Sequence, residues 1–275
     1  MISFTATAAI KQAPGILGEA ASLRWLAEAE SSGGLRIVRV LEVDETQLIL
    51  ERVPRGTPTR TGARRIGAAL ARTHAAGAPG WGAPPPGWNE AAFQIGESFT
   101  PVVPVGQPQP ATWGEFFAEY RVRSYLKVIR DRQDLDADEV GLLERVAQRI
   151  EAGEFTSAQP QLVAENGFAA ARLHGDLWAG NILWDADPEA PAGGVLIDPV
   201  AHGGHAETDL AMLQLFGFPY LREVLAGYES VSPLVEGWRE RVEIHQLAPL
   251  LLHCVLFRDG YGYLRQSLDL ALRYQ

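Results

Sequence analysis

Residues 173–184 read LHGDLWAGNILW, and residues 195–200 read VLIDPV. The first stretch sets Asp176 and Asn181, with four residues between them, on a tight loop between two short apolar runs. The second ends an apolar run in a further aspartate, Asp198. ARLH, ILW and VLI have the make-up of short strands, and the Gly, Asp and Asn around them that of turns. An isolated Gly-Asp or Gly-Asn pair usually does no more than turn the chain. Three polar positions in this order, each beside an apolar strand, point instead to chemistry. Phosphoryl transfer needs a carboxylate beside the acceptor hydroxyl and oxygen ligands that hold Mg²⁺ on the nucleotide phosphates, and kinase catalytic loops use this Asp–Asn spacing. On this reading Asp176 accepts the hydroxyl proton, Asn181 and Asp198 are Mg²⁺ ligands, and His174 braces the loop.

Outward from the loop, the N-terminal side predicts a helix over 19–30, carried by Leu23, Leu26 and Ala27 and stopped at Gly33 and Gly34. Two β-rich runs follow, at 36–43 and 48–53, and the polar turn between them makes them antiparallel neighbours. Pro54, Gly56 and Pro58 break the chain before a helix that carries Ile66, Leu70 and Thr73 and ends at Gly77. Residues 77–112 are dense in Pro, Gly and aromatics and read as a long irregular surface segment, partly packed through Trp81, Trp88 and Phe93. Helices are expected from Trp113 to Tyr120 and over 138–151, then the strands around the loop, a Pro/Gly turn at 188–194, and helices to the end.

The chain has 275 residues, is 47% hydrophobic and carries a formal net charge of -10, so it has apolar material for a sizeable core and is a poor binder of phosphate backbones. No nucleic-acid partner is expected. Its single cysteine, Cys254, reads as a buried apolar side chain, and no leader or apolar run of membrane-spanning length is evident, so no membrane partner and a cytoplasmic location are expected. His202 and His205 flank Gly203 and Gly204 without companions at zinc spacing, which favours a substrate or loop role. His74, His245 and His253 read as structural, and Trp113 with Phe116 as an aromatic core stripe; Trp178, inside the loop, is the aromatic expected to face the site.

LHGDLWAGNILW, IDPV and GHAETDLAMLQLFG together resemble the fructosamine kinase family, a branch of the aminoglycoside phosphotransferase group. The likeness extends through EAASLRWLAEA, LILERV, ALARTHAAG, TWGEFFAEYRV and WRERVEIHQLAPLLLHCVLF, from about residue 19 onward. It implies an α+β, two-lobed, protein-kinase-like fold, with a small β-containing nucleotide-binding lobe at 1–55 and a larger, mainly helical catalytic lobe at 56–275. It also implies ATP and Mg²⁺ as cofactors and a sugar-amine, free or on a glycated protein, as substrate. Asp176 is then the catalytic base, Asn181 and Asp198 hold the metal, and the backbone of Glu51, Arg52 and Val53 receives adenine. Asp209 supports the loop, Glu207 is either its acidic companion or a plain helix cap, and Glu19 is the helix glutamate that pairs a strand lysine.

The departures lie at the start. No glycine-rich strand pair is evident before that helix, and spacing from Glu19 puts Ala6 where relatives carry the lysine. Lys11, eight residues before Glu19, takes that role only if the chain bends. The residues alone leave open a kinase for an aminoglycoside or other small alcohol, and a degenerate kinase fold that binds without catalysis. The oligomeric state is not encoded in any feature of the sequence.

Overall fold

The structure is a computed structural model that describes residues 1–104, 106–132, 134–187, 190–258 and 261–275. It opens with an antiparallel hairpin, β1 (Ile2–Phe4) and β2 (Ala8–Lys11). Thr5 Oγ1 accepts hydrogen bonds from the Thr7 and Ala8 N–H groups, so a hydroxyl organises the turn that glycine makes elsewhere. A strand pair therefore does precede the first helix, without a glycine-rich loop to announce it. The helix α1 (Ile16–Ala27) starts and ends earlier than expected and continues as a 3₁₀ turn over Glu28–Ser32. Gly15 before it has φ 85°, and a Cβ there would lie 2.4 Å from the Gln94 carbonyl oxygen, so only glycine fits.

The run at 36–43 is not one strand. β3 (Arg36–Ile37) separates from β4 (Val40–Val43), which pairs antiparallel with β5 (Leu48–Glu51) as expected. The resulting sheet has the order β1-β2-β5-β4. The helix α2 (Arg60–Ala75) is capped by Thr59, whose Oγ1 accepts from Gly62 N–H. The segment 77–112 is less irregular than its composition implies, because it holds a second hairpin, β6 (Ala92–Ile95) and β7 (Ser98–Pro101). Its turn begins at Gly96, φ 55°, the first-position glycine of a tight two-residue hairpin turn. Phe93 anchors it, buried against Gly18 of α1 and stacked on Trp88 with ring centroids 5.0 Å apart.

A helix then runs from α3 (Trp113–Phe117) through a π-helical turn at Ala118–Arg123 into α4 (Ser124–Asp131). α5 (Ala137–Glu151) starts on a capping box made by Asp136 and Glu139, and α6 (Gln161–Glu165) is a single short turn. β8 (Ala171–Leu173), β9 (Ile182–Trp184), β10 (Gly194–Leu196) and β11 (His202–Gly204) frame the loop, and residues 188 and 189 of the expected turn lie outside the described residues. β10 pairs antiparallel with β9 and parallel with β3, while β11 pairs with β8. α7 (Glu207–Leu215), α8 (Leu221–Glu229), α9 (Trp238–Phe257) and α10 (Tyr263–Arg273) complete the chain.

Two large apolar cores, with two smaller clusters beside them, hold this together. One joins Leu23 and Leu26 of α1, Ile37 and Leu48 of the strands, Ile66 and Leu70 of α2, and Leu177, Ile182 and Val195 around the loop. Each such fully buried branched side chain contributes about 1.5–3 kcal/mol, so the segment before residue 55 and the segment after it are welded by the same material. The second packs α3, α4 and α5 against α9 and α10 and includes Trp113 and Cys254. Trp113 and Phe116 are buried core, as expected from their spacing. No helix among the described residues is long and apolar enough to cross a membrane.

Candidate active site

β8 delivers the chain into Gly175, φ 83°, where a Cβ would sit 2.2 Å from the Val200 carbonyl oxygen. Only glycine lets the loop pass so close to the segment after Asp198. Asp209, in the first turn of α7, accepts the N–H of His174 at 2.7 Å and of Gly175 at 3.0 Å. Its buried carboxylate would be raised by desolvation, but a hydrogen bond from His74 at 3.2 Å, with the charges nearby, holds it below the usual range. His74, on α2, is itself fixed by the Tyr228 hydroxyl of α8 at 2.9 Å. His174 is buried, and burial lowers its pKa. Its Nδ1 accepts Asp176 N–H at 3.2 Å and its Nε2 faces the Ile197 carbonyl at 2.9 Å, which fixes the tautomer with the proton on Nε2.

Asp176 follows, half-buried, with Oδ2 2.9 Å from Asn181 Nδ2; the same amide also donates to the Asp176 carbonyl at 2.8 Å. Partial desolvation pushes the Asp176 carboxyl up to about 6, against the lowering pull of the Asn181 hydrogen bond. The group remains ionised at neutral pH and is a better proton acceptor than a free aspartate. Ile197 N–H bonds the Asn181 carbonyl at 3.0 Å and Val200 N–H the His174 carbonyl at 2.8 Å, so Asp198 is clamped between two ties to the loop. Asp198 has φ 54°, a left-handed conformation that Asp tolerates better than most residues and that clusters at functional sites.

Lys11 completes the group. Its Nζ lies 2.6 Å from Glu19 Oε2 and 2.8 Å from Asp198 Oδ1, while Ala6 stands exposed in the β1–β2 turn. The bend through Pro14 and Gly15 is what lets eight residues suffice. Desolvation raises the Glu19 carboxyl to about 7, with Lys11 opposing, whereas Asp198, more open to water, is held below its usual range by Lys11 and its hydrogen bonds despite partial burial. Burial works to lower Lys11, but the two carboxylates more than offset it and the ammonium is stabilised. Glu19 Oε1 is buried with no hydrogen-bond partner among the described residues.

Two cavities meet at this cluster. One, of about 550 Å³, is walled by Ile2, Ala9, Val38, Leu50, Leu183 and Ile197, with the backbone of Glu51 to Arg55 along one side and Lys11 and Asp198 at its inner end. Its volume and apolar lining are those of a nucleotide-sized pocket. The Glu51 carboxylate turns away from it to Arg36 and Arg39, and the Glu51 and Arg52 N–H groups bond the Arg39 and Thr7 carbonyls. Val53 is therefore the member of the trio whose N–H no described backbone bond uses. The other cavity, of about 330 Å³, lies on the far side of Lys11 and Asp198 and is lined by Asp176, Trp178 and Asn181 facing Phe93, Gln94 and Gly96 of the second hairpin. Sequence reading missed that hairpin; its only signal was a lone Gly96 in the short run AFQIGESFTP.

His205 and Glu207 belong elsewhere. Neither lines either cavity. His205 Nε2 is bound to Ser157 Oγ and the Ala158 carbonyl, a loop role rather than a substrate one. Glu207 is neither a helix cap nor part of the cleft: its two oxygens take Arg241 at 2.9 and 2.6 Å, with His245 at 3.4 Å. His205, Glu207 and His245 present ligand-type atoms within 4.8 Å of one another; His205 Nε2 meets Ser157, Glu207 takes Arg241, and His245 bonds Thr208 through Nδ1 with Nε2 towards Glu207.

The fold is that of the protein-kinase-like phosphotransferases, a small strand-rich segment over a helical one with the loop at their junction. Residues 4–273 match the fructosamine kinase family model, and the chain belongs to that family. A crystal structure of a proposed fructosamine-3-kinase from Thermobifida fusca superposes with a TM-score of 0.79 at 38% identity, covering 96% of this chain and 84% of that one. The probable ketoamine kinase YniA of Escherichia coli K12 is 29% identical over 265 residues, 94% of this chain and 81% of YniA. A probable ketoamine kinase from Vibrio parahaemolyticus is 35% identical over 155 residues, 56% of this chain and 46% of that protein. The match thus spans about half the length of the first of its curated relatives.

Proposed function

We propose that this chain is an ATP- and Mg²⁺-dependent kinase that phosphorylates a hydroxyl of a ketosamine, with residues 1–55 gripping the nucleotide and 56–275 carrying the chemistry. The observation that carries the reading is the convergence of Asp176, Asn181, Asp198, Lys11 and Glu19 between two adjoining cavities; family membership supplies the substrate class.

The residues fit a divalent cation. Asn181 spends its amide N–H on Asp176, leaving Oδ1 for a metal, and Asp198 engages Lys11 through one oxygen only. Three carboxylates face one ammonium, and hard oxygen donors with excess negative charge suit Mg²⁺. When bound, Mg²⁺ and the nucleotide supply the phosphoryl group and neutralise its developing charge. Within the chain, the Asp176 carboxylate, oriented by the Asn181 amide on Oδ2, takes the acceptor proton. Lys11, held by Glu19 at the boundary of the two cavities, is placed to meet phosphate oxygens. Trp178, 43% exposed at the cavity wall, offers a face on which a sugar ring can pack.

Mg²⁺-dependent ATP consumption, measured with fructosamines, ribulosamines and aminoglycosides, tests the reading. Turnover with a ketosamine, lost on chelation, is expected. Turnover with aminoglycosides alone would replace the substrate class, and no response of the thermal midpoint to MgATP would remove the kinase assignment.

A further inference from the structure

Glu19 can hold Lys11 in place only if α1 is itself held. The tendency is against it, since Glu19 and Asp198 are like charges facing each other across a single ammonium. Two buried polar side chains restrain the helix. Ser22, fully buried and one turn beyond Glu19, accepts the Ala201 N–H on Oγ at 3.1 Å. Ala201 stands three residues after Asp198. Arg172, on β8 four residues before Asp176, reaches the other end of α1. Its Nη1 donates to the Trp25 carbonyl at 2.6 Å and to the Glu28 carboxylate at 3.0 Å, its Nε donates to the Gly77 carbonyl at 3.1 Å, and its guanidinium lies 4.6 Å over the Trp25 ring.

We infer that Ser22 and Arg172 are positioning residues that fasten α1 to β8, which leads into the catalytic loop, and to the segment after Asp198, and so fix Glu19 and Lys11 opposite Asp198. The inference rests on the kinase reading. Swinging α1 outward would orphan the Ala201 N–H and strip the Arg172 guanidinium of the Trp25 carbonyl, each costly to leave unpaired in a buried place. The lysine–glutamate pair is thereby assembled from the catalytic segment, not from the β1–β2 turn, which does not line the inner cavity.

A double-mutant cycle separates this role from plain stabilisation. Ser22→Ala and Arg172→Met are each made in the parent chain and in a Glu19→Gln chain. The thermal midpoint, its shift with MgATP, and the KM and kcat for MgATP are then measured. If both residues act through Glu19, each substitution raises the KM ~10-fold in the parent and shrinks the MgATP shift, but changes KM less than about 2-fold once Glu19 is altered. Arg172→Lys, which keeps a donor, restores part of the effect. The inference is overturned if the KM change is the same in both backgrounds, or if the midpoint falls while the MgATP shift stays intact. Should Arg172→Met not fold, Ser22→Ala, which removes one oxygen, decides alone. A parent chain whose midpoint ignores MgATP rejects the kinase reading and this inference together, whereas a responsive parent with indifferent variants rejects the inference only.

Discussion

Two of the charged clusters among the described residues, those around Glu207 and Asp176, are built on opposite terms. Around Glu207, Arg241 takes both carboxylate oxygens, His245 approaches one of them, and His205 and His245 each have further partners. Around Asp176, two further carboxylates, Glu19 and Asp198, share one lysine, a buried oxygen of Glu19 has no partner among the described residues, and Asp198 sits at positive φ. The first cluster is paired within itself, as a structural network is. The second is incomplete in the way a site is before it meets its ligand, and its deficit is positive charge.

The sharpest way to break that contrast is Asp176→Asn. It is expected to lower kcat ~1000-fold with the MgATP-induced midpoint shift preserved, because it removes a proton acceptor and little volume. An unchanged rate would move the base elsewhere. Next in size, Glu207→Ala should cost about 3 kcal/mol in denaturant unfolding by leaving Arg241 without its partner, with KM for MgATP unmoved in the folded fraction. A changed KM would tie the Glu207 cluster to the cleft.

Acid sharpens the same comparison. Burial holds His205 at about 4 and His202 at about 3, below the ~6.5 of an unfolded chain, so the folded state binds fewer protons as pH drops. Stability from these histidines is complete above about pH 6.5 and declines below it, by about 2 kcal/mol for each at pH 5. Glu207, held at about 2 by His245 and Arg241 against the effect of its burial, adds its own loss only below about pH 4.5. The raised carboxyls of Asp176 and Glu19 act in the opposite sense over the same range, so the check is a titration of the histidine ring resonances from pH 7 to 4, in which His202 and His205 should stay neutral at pH 5; protonation there would mean that they are not held by burial. The smallest effect expected is Lys11→Met, ~10-fold weaker MgATP binding by calorimetry. Unweakened binding would exclude Lys11 from the phosphates.

The loop at 173–184 was legible as a candidate site because its information is local: Asp176, Asn181 and Asp198 announce themselves by order and by the strands beside them. The helix at 137–151 and the β4–β5 pair were legible for the same reason, periodicity and a polar turn. What escaped depends on distant partners. The β1–β2 pair lacked glycine because Thr5 makes the turn, and the division of 36–43 depends on β10, some 160 residues on. The second hairpin was masked by proline-rich flanks, although Phe93 supplied its anchor. Lys11 could not be ranked above Ala6 until the bend at Gly15 was known, and Glu207 could not be read without Arg241, 34 residues further along.

The parallel pairing of Arg36–Ile37 with Val195–Leu196 also dictates an order of events during synthesis. The first 55 residues leave the ribosome well before the strand that β3 needs has been made, and closing so long a loop is slow. Until then the nascent segment carries Ile37, Leu26 and Leu23 uncovered. Chaperone demand should therefore peak in the window before residue 196 emerges, and a ribosome stalled there would hold an N-terminal segment that has not yet folded.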